Sequence, residues 1–113
     1  MSEAKPFVIV ESPYAGDVER NLAYARATIR DSILRGEAPF GSHLLYTQPG
    51  ILIDEIPMER ELGMALGWHI MRYADFVAFY TDFGWSGGMK RGKAAAIELR
   101  KPIVERSLPG FTK

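Results

Sequence analysis

An alternation in the chain narrows its fold more than any other feature. Short apolar runs rich in β-branched residues, "FVIV" (Phe7–Val10), "FVAFY" (Phe76–Tyr80) and "PIVE" (Pro102–Glu105), are separated by segments of helical period. Runs of four or five such residues between polar segments read as strands buried on both faces. Strands that alternate with helices pair in parallel, because each helix carries the chain back to the starting edge of the sheet. After the first run, Val18, Leu22, Ala25, Ile29 and Ile33 recur at helical spacing, with Asp17 as N-cap, Glu19 in the first turn and Gly36 as the stop. Pro57 fits the first turn of a second helix, whose buried side Leu62, Leu66, Ile70 and Tyr73 should mark. A third helix starts near Ser86 or Gly87 and runs to about Arg100. The stretch "APFGSHLLYTQPGILIDEI" is mostly loop, with room for a short strand near Phe40 or another at Leu44–Tyr46. The expectation is one α/β domain over residues 1–113. It is a three-layer Rossmann- or flavodoxin-like sandwich with a mainly parallel sheet of about 4–5 strands.

Composition removes several function classes. The 14 basic and 14 acidic residues cancel, which argues against a general nucleic-acid binder. With no cysteine, thiol catalysis, thiolate metal sites and disulfides are excluded. The two histidines, His43 and His69, form no metal-ligand spacing, so neither a metal nor a cofactor is expected. No apolar run is long enough to span a bilayer, and "MSEAKPFVIV" lacks the apolar core of a signal peptide. A cytoplasmic protein without membrane or nucleic-acid partners is the expectation.

Ligands of parallel sheets bind outside the carboxyl ends of the strands. Three segments leave those ends: "ESPYAGD", "GSHLLYTQ" and "TDFGWSGGMK". In the last, glycines around Ser86 let backbone amides turn toward a ligand, and a helix N-terminus adds unpaired N–H groups and partial positive charge. The loop is either an anion cradle or a glycine-rich turn with Ser86 as a plain N-cap, since it matches neither the P-loop nor the dinucleotide fingerprint. Ser12, Tyr14 and Gly16 stand in the first loop, where Tyr14 either stacks on a ligand or packs on the surface. Glu11 ends the first strand. Glu61 and its neighbours open a helix, and Asp75 and Asp82 flank a strand as turn caps or site acids. Tyr80, Phe83 and Trp85 serve either as packing or as ligand walls.

Together these stretches resemble the nucleoside 2-deoxyribosyltransferase superfamily, which includes deoxynucleoside monophosphate N-glycosidases and phage and bacterial relatives. "SPYAG" is similar to the family's substrate loop. "APFGSH" resembles its second strand and following histidine, here His43. "ERELGMALGWHIMRYADFVAFY" resembles its Glu-Arg-acid helix and apolar strand, and "SGGMKRGKAAAIELRKPI" its Ser-x-Gly-Met loop, helix and last strand. The resemblance implies a nucleoside, nucleotide or sugar phosphate bound by Ser12, Tyr14, Gly16, His43, Asp82, Ser86, Gly88 and Met89. It also implies Glu61 as the acid that assists departure of the base, and a homo-oligomer. One position departs from the pattern. The family's glutamate nucleophile, four residues after the loop glycine, is Gly92 here. N-glycosidic cleavage builds positive charge on the sugar, which a carboxylate stabilises or bonds. Three readings follow. The protein binds a nucleotide without the usual nucleophile. Alternatively, it is an active N-glycosidase or transferase whose acid has moved, with Glu11 the best substitute beside Glu61 and Asp82. The third is a structural or partner-binding α/β oligomer.

Overall fold

The computed structural model describes residues 4–111. Strands β1 (Phe7–Glu11), β2 (Ala38–Phe40), β3 (Phe76–Tyr80) and β4 (Ile103–Arg106) form one sheet in the order β2-β1-β3-β4, every pair parallel. Helices α1 (Val18–Leu34), α2 (Pro57–Met71) and α3 (Gly87–Glu98) connect them, with a 3-10 turn at Ser42–Leu44. The expected α/β sandwich is present with four strands, and Leu44–Tyr46 lies in turns rather than a fifth strand.

Strand alternation sorts the core into two layers. Val8 and Val10 of β1, with Ala78 and Tyr80 of β3, pack on Tyr24 of α1. Ile9, Val77 and Phe79 point the other way, onto Met71, Met89 and Ala96 of α2 and α3. The connection from β1 runs outward to β2, whereas the next two run toward β3 and β4. Right-handed crossovers then require α1 on one face and α2 with α3 on the other. The order in which strands are added to the sheet therefore reverses between β1 and β3, and a crevice opens beyond their carboxyl ends. Glu11 shares the parity of Ile9, so its side chain leaves β1 on the α3 face.

The helix ends follow the sequence. The Asp17 carboxylate accepts the Arg20 N–H at 3.1 Å, and Ser86 Oγ accepts the Met89 N–H at 3.1 Å. Gly36 takes φ 88° and closes α1, its N–H donating to the Ile33 carbonyl at 2.9 Å.

The helix faces do not all follow it. In α1 the buried residues are Asn21, Tyr24, Ala25, Thr28 and Ser32, whereas Val18 and Ile33 are exposed. Each buried polar group has a partner. Thr28 donates to the Ala25 carbonyl and Ser32 to Glu37. Tyr24 donates to Asp82 at 2.6 Å. Of the expected buried side of α2, Ile70 packs against the core, whereas Leu62, Leu66 and Tyr73 are exposed. The inner side carries Arg60, Met64, Trp68 and Met71 instead, because this face borders a polar cavity rather than a dry core.

A buried ion pair ties the two edges of the sheet. Both nitrogens of the Arg106 fork donate to Glu37, at 2.8 and 2.6 Å, with side chains only 10% and 9% exposed. Arg106 holds the Glu37 carboxyl below the usual carboxylate range. Arg106→Ala leaves that carboxylate buried without its cation, and should cost about 3–5 kcal/mol in urea unfolding.

Candidate functional site

A cavity of about 350 Å³ fills the crevice beyond β1 and β3, large enough for a nucleotide-sized ligand. Four pieces of chain wall it: the end of β1 with the loop after it, the 3-10 turn after β2, one side of α2 with the loop before it, and the start of α3.

The loop after β1 is held from behind. Asn21 of α1 is fully buried, and its amide donates to the carbonyls of Tyr14 and Ala15 at 2.9 and 3.1 Å. That fixes Tyr14, whose ring stacks on His43 at 5.1 Å between centroids. Thr47 Oγ1 donates to the His43 carbonyl at 2.6 Å and steadies the turn. Burial pushes the His43 ring below its usual pKa, partly opposed by Asp54 and by the Ser12 carbonyl, so the imidazole is neutral at physiological pH. Opposite stand Met64 and Trp68. The outer side of Trp68 is propped by the Arg91 guanidinium, 5.3 Å from the ring centroid.

One end of the cavity suits an anion. Ser86 Oγ is taken up by the Met89 N–H, and among the described residues no hydrogen bond uses the N–H groups of Gly87 and Gly88. Arg60 reaches the same place from α2. A Cβ at Gly88 would stand 3.8 Å from Arg60 Nη2 and 3.9 Å from Ser86 Oγ. The other fork nitrogen of Arg60 lies 3.5 Å from Asp54. The loop just before Asp54 is tied to α2 by Glu59, which accepts the Ile53 N–H at 3.0 Å. A cation beside a helix N-terminus is unfavourable without a negative partner, and Asp54 meets only one side of Arg60.

The other end is occupied by Glu11. Its carboxyl has no hydrogen-bond or ion-pair partner among the described residues and lines the cavity. Burial alone pushes its pKa up to about 8. The carboxyl lies against α3 at Gly92. A Cβ there would stand 2.9 Å from Glu11 Oε1, 3.1 Å from Cδ and 3.2 Å from Oε2. Gly92 therefore makes the room that the Glu11 carboxyl uses. In the middle of a helix a glycine costs about 1 kcal/mol relative to alanine.

Of the residues expected at the site, Glu11, Tyr14, Gly16, His43, Ser86 and Gly88 meet in this cavity. Four do not line it. Glu61 is exposed on the outer side of α2, where both its oxygens accept from Arg91 at 2.8 Å. Asp82 accepts from the Tyr24 hydroxyl and the Leu108 N–H, tying the chain after β4 to the end of β3. Met89 is a core residue, 1% exposed, because it is the first α3 position to face the sheet. Ser12 is buried beneath the loop. The aromatics of the third loop are packing. Phe83 lies against Tyr24 and Phe111, and Trp85 against Phe79. Sequence reasoning missed Arg60, Asp54, Met64 and Trp68. The only available signal was Arg60 inside "MEREL", one position from the acid singled out there.

Residues 6–106 match the family model described as a domain of unknown function, DUF7768. The chain belongs to that family. No curated protein matches it. Family membership thus covers every strand and helix around the cavity, from β1 through β4.

The Glu11 environment has a measurable consequence. Its folded pKa lies above the unfolded value, so ionising it costs the fold nothing below about pH 4.5 and progressively more as pH rises from there toward about 8. Urea unfolding between these limits should show the wild type losing a few kcal/mol, about 1.4 kcal/mol for each pH unit crossed, that Glu11→Gln does not lose. Parallel pH profiles for the two proteins would show that the Glu11 carboxyl is not desolvated in the fold.

Proposed function

We propose that the protein binds a (deoxy)nucleotide or sugar phosphate in this cavity and cleaves the N-glycosidic bond of the nucleotide, with Glu11 as the working acid. The supporting observation is the fit of the Glu11 carboxyl against Gly92. In the deoxyribosyltransferase-like pattern a glutamate at that helix position faces the sugar. Here the carboxyl approaches the same stretch of α3 from β1, and the helix residue is reduced to a hydrogen to admit it. Binding without cleavage remains the second reading, and the first loop and the start of α3 support it equally.

The ends of the cavity match the ends of such a ligand. Gly88 and Gly92 are about one helical turn apart. A pentose 5-phosphate spans a comparable distance from phosphate to anomeric carbon. The phosphate would accept from the free N–H groups of Gly87 and Gly88 and from Arg60, charge-assisted bonds that are short and strong. The base would lie between the Tyr14–His43 pair and Trp68 with Met64. Glu11 carries a proton at neutral pH. It gives that proton to the base nitrogen as the C–N bond breaks and the electron pair leaves with the base.

The exposed stripe of α2 fits a second copy of the chain. Met58, Leu62 and Leu66 recur at i, i+4 spacing on the outer side, 75%, 52% and 45% exposed. Two such stripes face one another across a two-fold axis without any further complementary surface.

Incubation with 2-deoxynucleoside 5-monophosphates should release free base. Glu11→Gln should lower the rate by at least about 100-fold with binding retained. Gly92→Ala should do the same while thermal stability holds or rises, because the helix gains and only the tip of Glu11 is displaced. Full turnover in both variants would sink the assignment. Binding detected with no base released by the wild type would select the second reading. In light scattering after gel filtration, the wild type should run as a dimer or larger and Leu62→Glu/Leu66→Glu as a monomer. A monomeric wild type at micromolar concentration would remove the pairing proposal.

A further inference from the structure

Arg60 has two neighbours and one charge. Nη1 stands 3.5 Å from Asp54, at the long limit of a hydrogen bond, and Nη2 points at the start of α3. Both side chains are only partly exposed, 35% and 17%. Asp54 lines the same cavity as Glu11 and has no other ion-pair partner among the described residues. We infer that Asp54 is a second working carboxylate of this site, released from Arg60 when the anion of the ligand takes the guanidinium.

This rests on the reading of the cavity given above and adds to it a role and a coupling. The physical basis is competition for one fork. An incoming phosphate dianion meets Arg60 together with the Gly87 and Gly88 N–H groups. Asp54 meets Arg60 alone and at a longer distance. The phosphate therefore displaces Asp54 rather than the reverse. The freed carboxylate then faces a cavity whose other lining acid, Glu11, holds a proton. The two acids divide the work that hydrolysis needs. The C–N bond breaks with its electron pair on the base nitrogen, which takes the proton of Glu11. Water adds through oxygen to the anomeric carbon and passes a proton to Asp54. Return of that proton to Glu11 through solvent restores the site, and one water is consumed per bond cleaved. Positive charge that develops on the sugar is also met by an anion that was neutralised before binding. In this arrangement the ligand's own phosphate arms the site, so monophosphates are the substrates and free nucleosides are cleaved poorly.

Calorimetric titration with inorganic phosphate tests the coupling without any turnover. Asp54→Asn should bind phosphate a few-fold more tightly, up to about fivefold, the worth of a part-exposed ion pair. Arg60→Ala should bind it about tenfold or more weakly. In the Arg60→Ala background, Asp54→Asn should add nothing, because the competition acts through that guanidinium. A gain that persists without Arg60, or no gain at all, overturns the handover. Turnover tests the role. With a monophosphate at saturation, Asp54→Asn should lower kcat by about 100-fold while KM holds or falls, and Asp54→Glu should recover part of the rate. Base release by the wild type with undiminished kcat in Asp54→Asn overturns the inference and leaves the reading of the cavity standing. No base release by the wild type overturns that reading and, with it, the role of Asp54, and the phosphate titration still decides the coupling. Melting temperatures of all variants separate these outcomes from failure to fold.

Discussion

The site depends on one close approach, the Glu11 carboxyl against the backbone of α3 at Gly92. Strand β1 ends on a residue whose parity turns it toward α3, and α3 offers no Cβ at the point of contact. The half-buried carboxyl faces the cavity with no cation or donor among the described residues to favour its ionised form, and desolvation pushes its pKa up to about 8. Such a group contributes nothing to stability that an apolar residue of the same size would not exceed. Its environment makes sense as preparation for a ligand, which is the usual reason for a strongly shifted acid in a cleft.

Everything else at the cavity is arranged around that group and the start of α3. The reversal of strand order between β1 and β3 opens the crevice. Asn21 reaches through from α1 to fix the carbonyls of Tyr14 and Ala15, and so couples the opposite helical layer to the wall of the site. Glu61 and Arg91 form an outer brace across α2 and α3, and the Arg91 guanidinium covers Trp68. The buried pair of Arg106 and Glu37 and the Tyr24–Asp82 bond hold the α1 face together, where the packing is unusually polar.

The central strands β1 and β3 were legible because short buried runs with β-branched residues leave few alternatives, and the helix ends because Asp17, Gly36 and Ser86 have specific backbone duties. The helix faces were not. The spacing of Leu62, Leu66, Ile70 and Tyr73 does not say which of them meet the sheet, and only Ile70 does. The inner stripe of Arg60, Met64 and Trp68 is mixed because it borders a polar cavity. The same ambiguity hid Arg60 and Asp54, and drew attention to Glu61 on the wrong side of the helix. Gly92 was visible as a missing carboxylate. Its meaning depended on knowing that β1 and α3 converge, a long-range contact that no local pattern carries.

The most direct measurement is a crystal structure of the Glu11→Gln protein soaked with a 2-deoxynucleoside 5-monophosphate. Phosphate density is expected on the N–H groups of Gly87 and Gly88 and on Arg60, with the residue 11 side chain within hydrogen-bonding reach of the glycosidic nitrogen. A ligand bound elsewhere, or bound here with its sugar turned away from residue 11, would contradict that expectation.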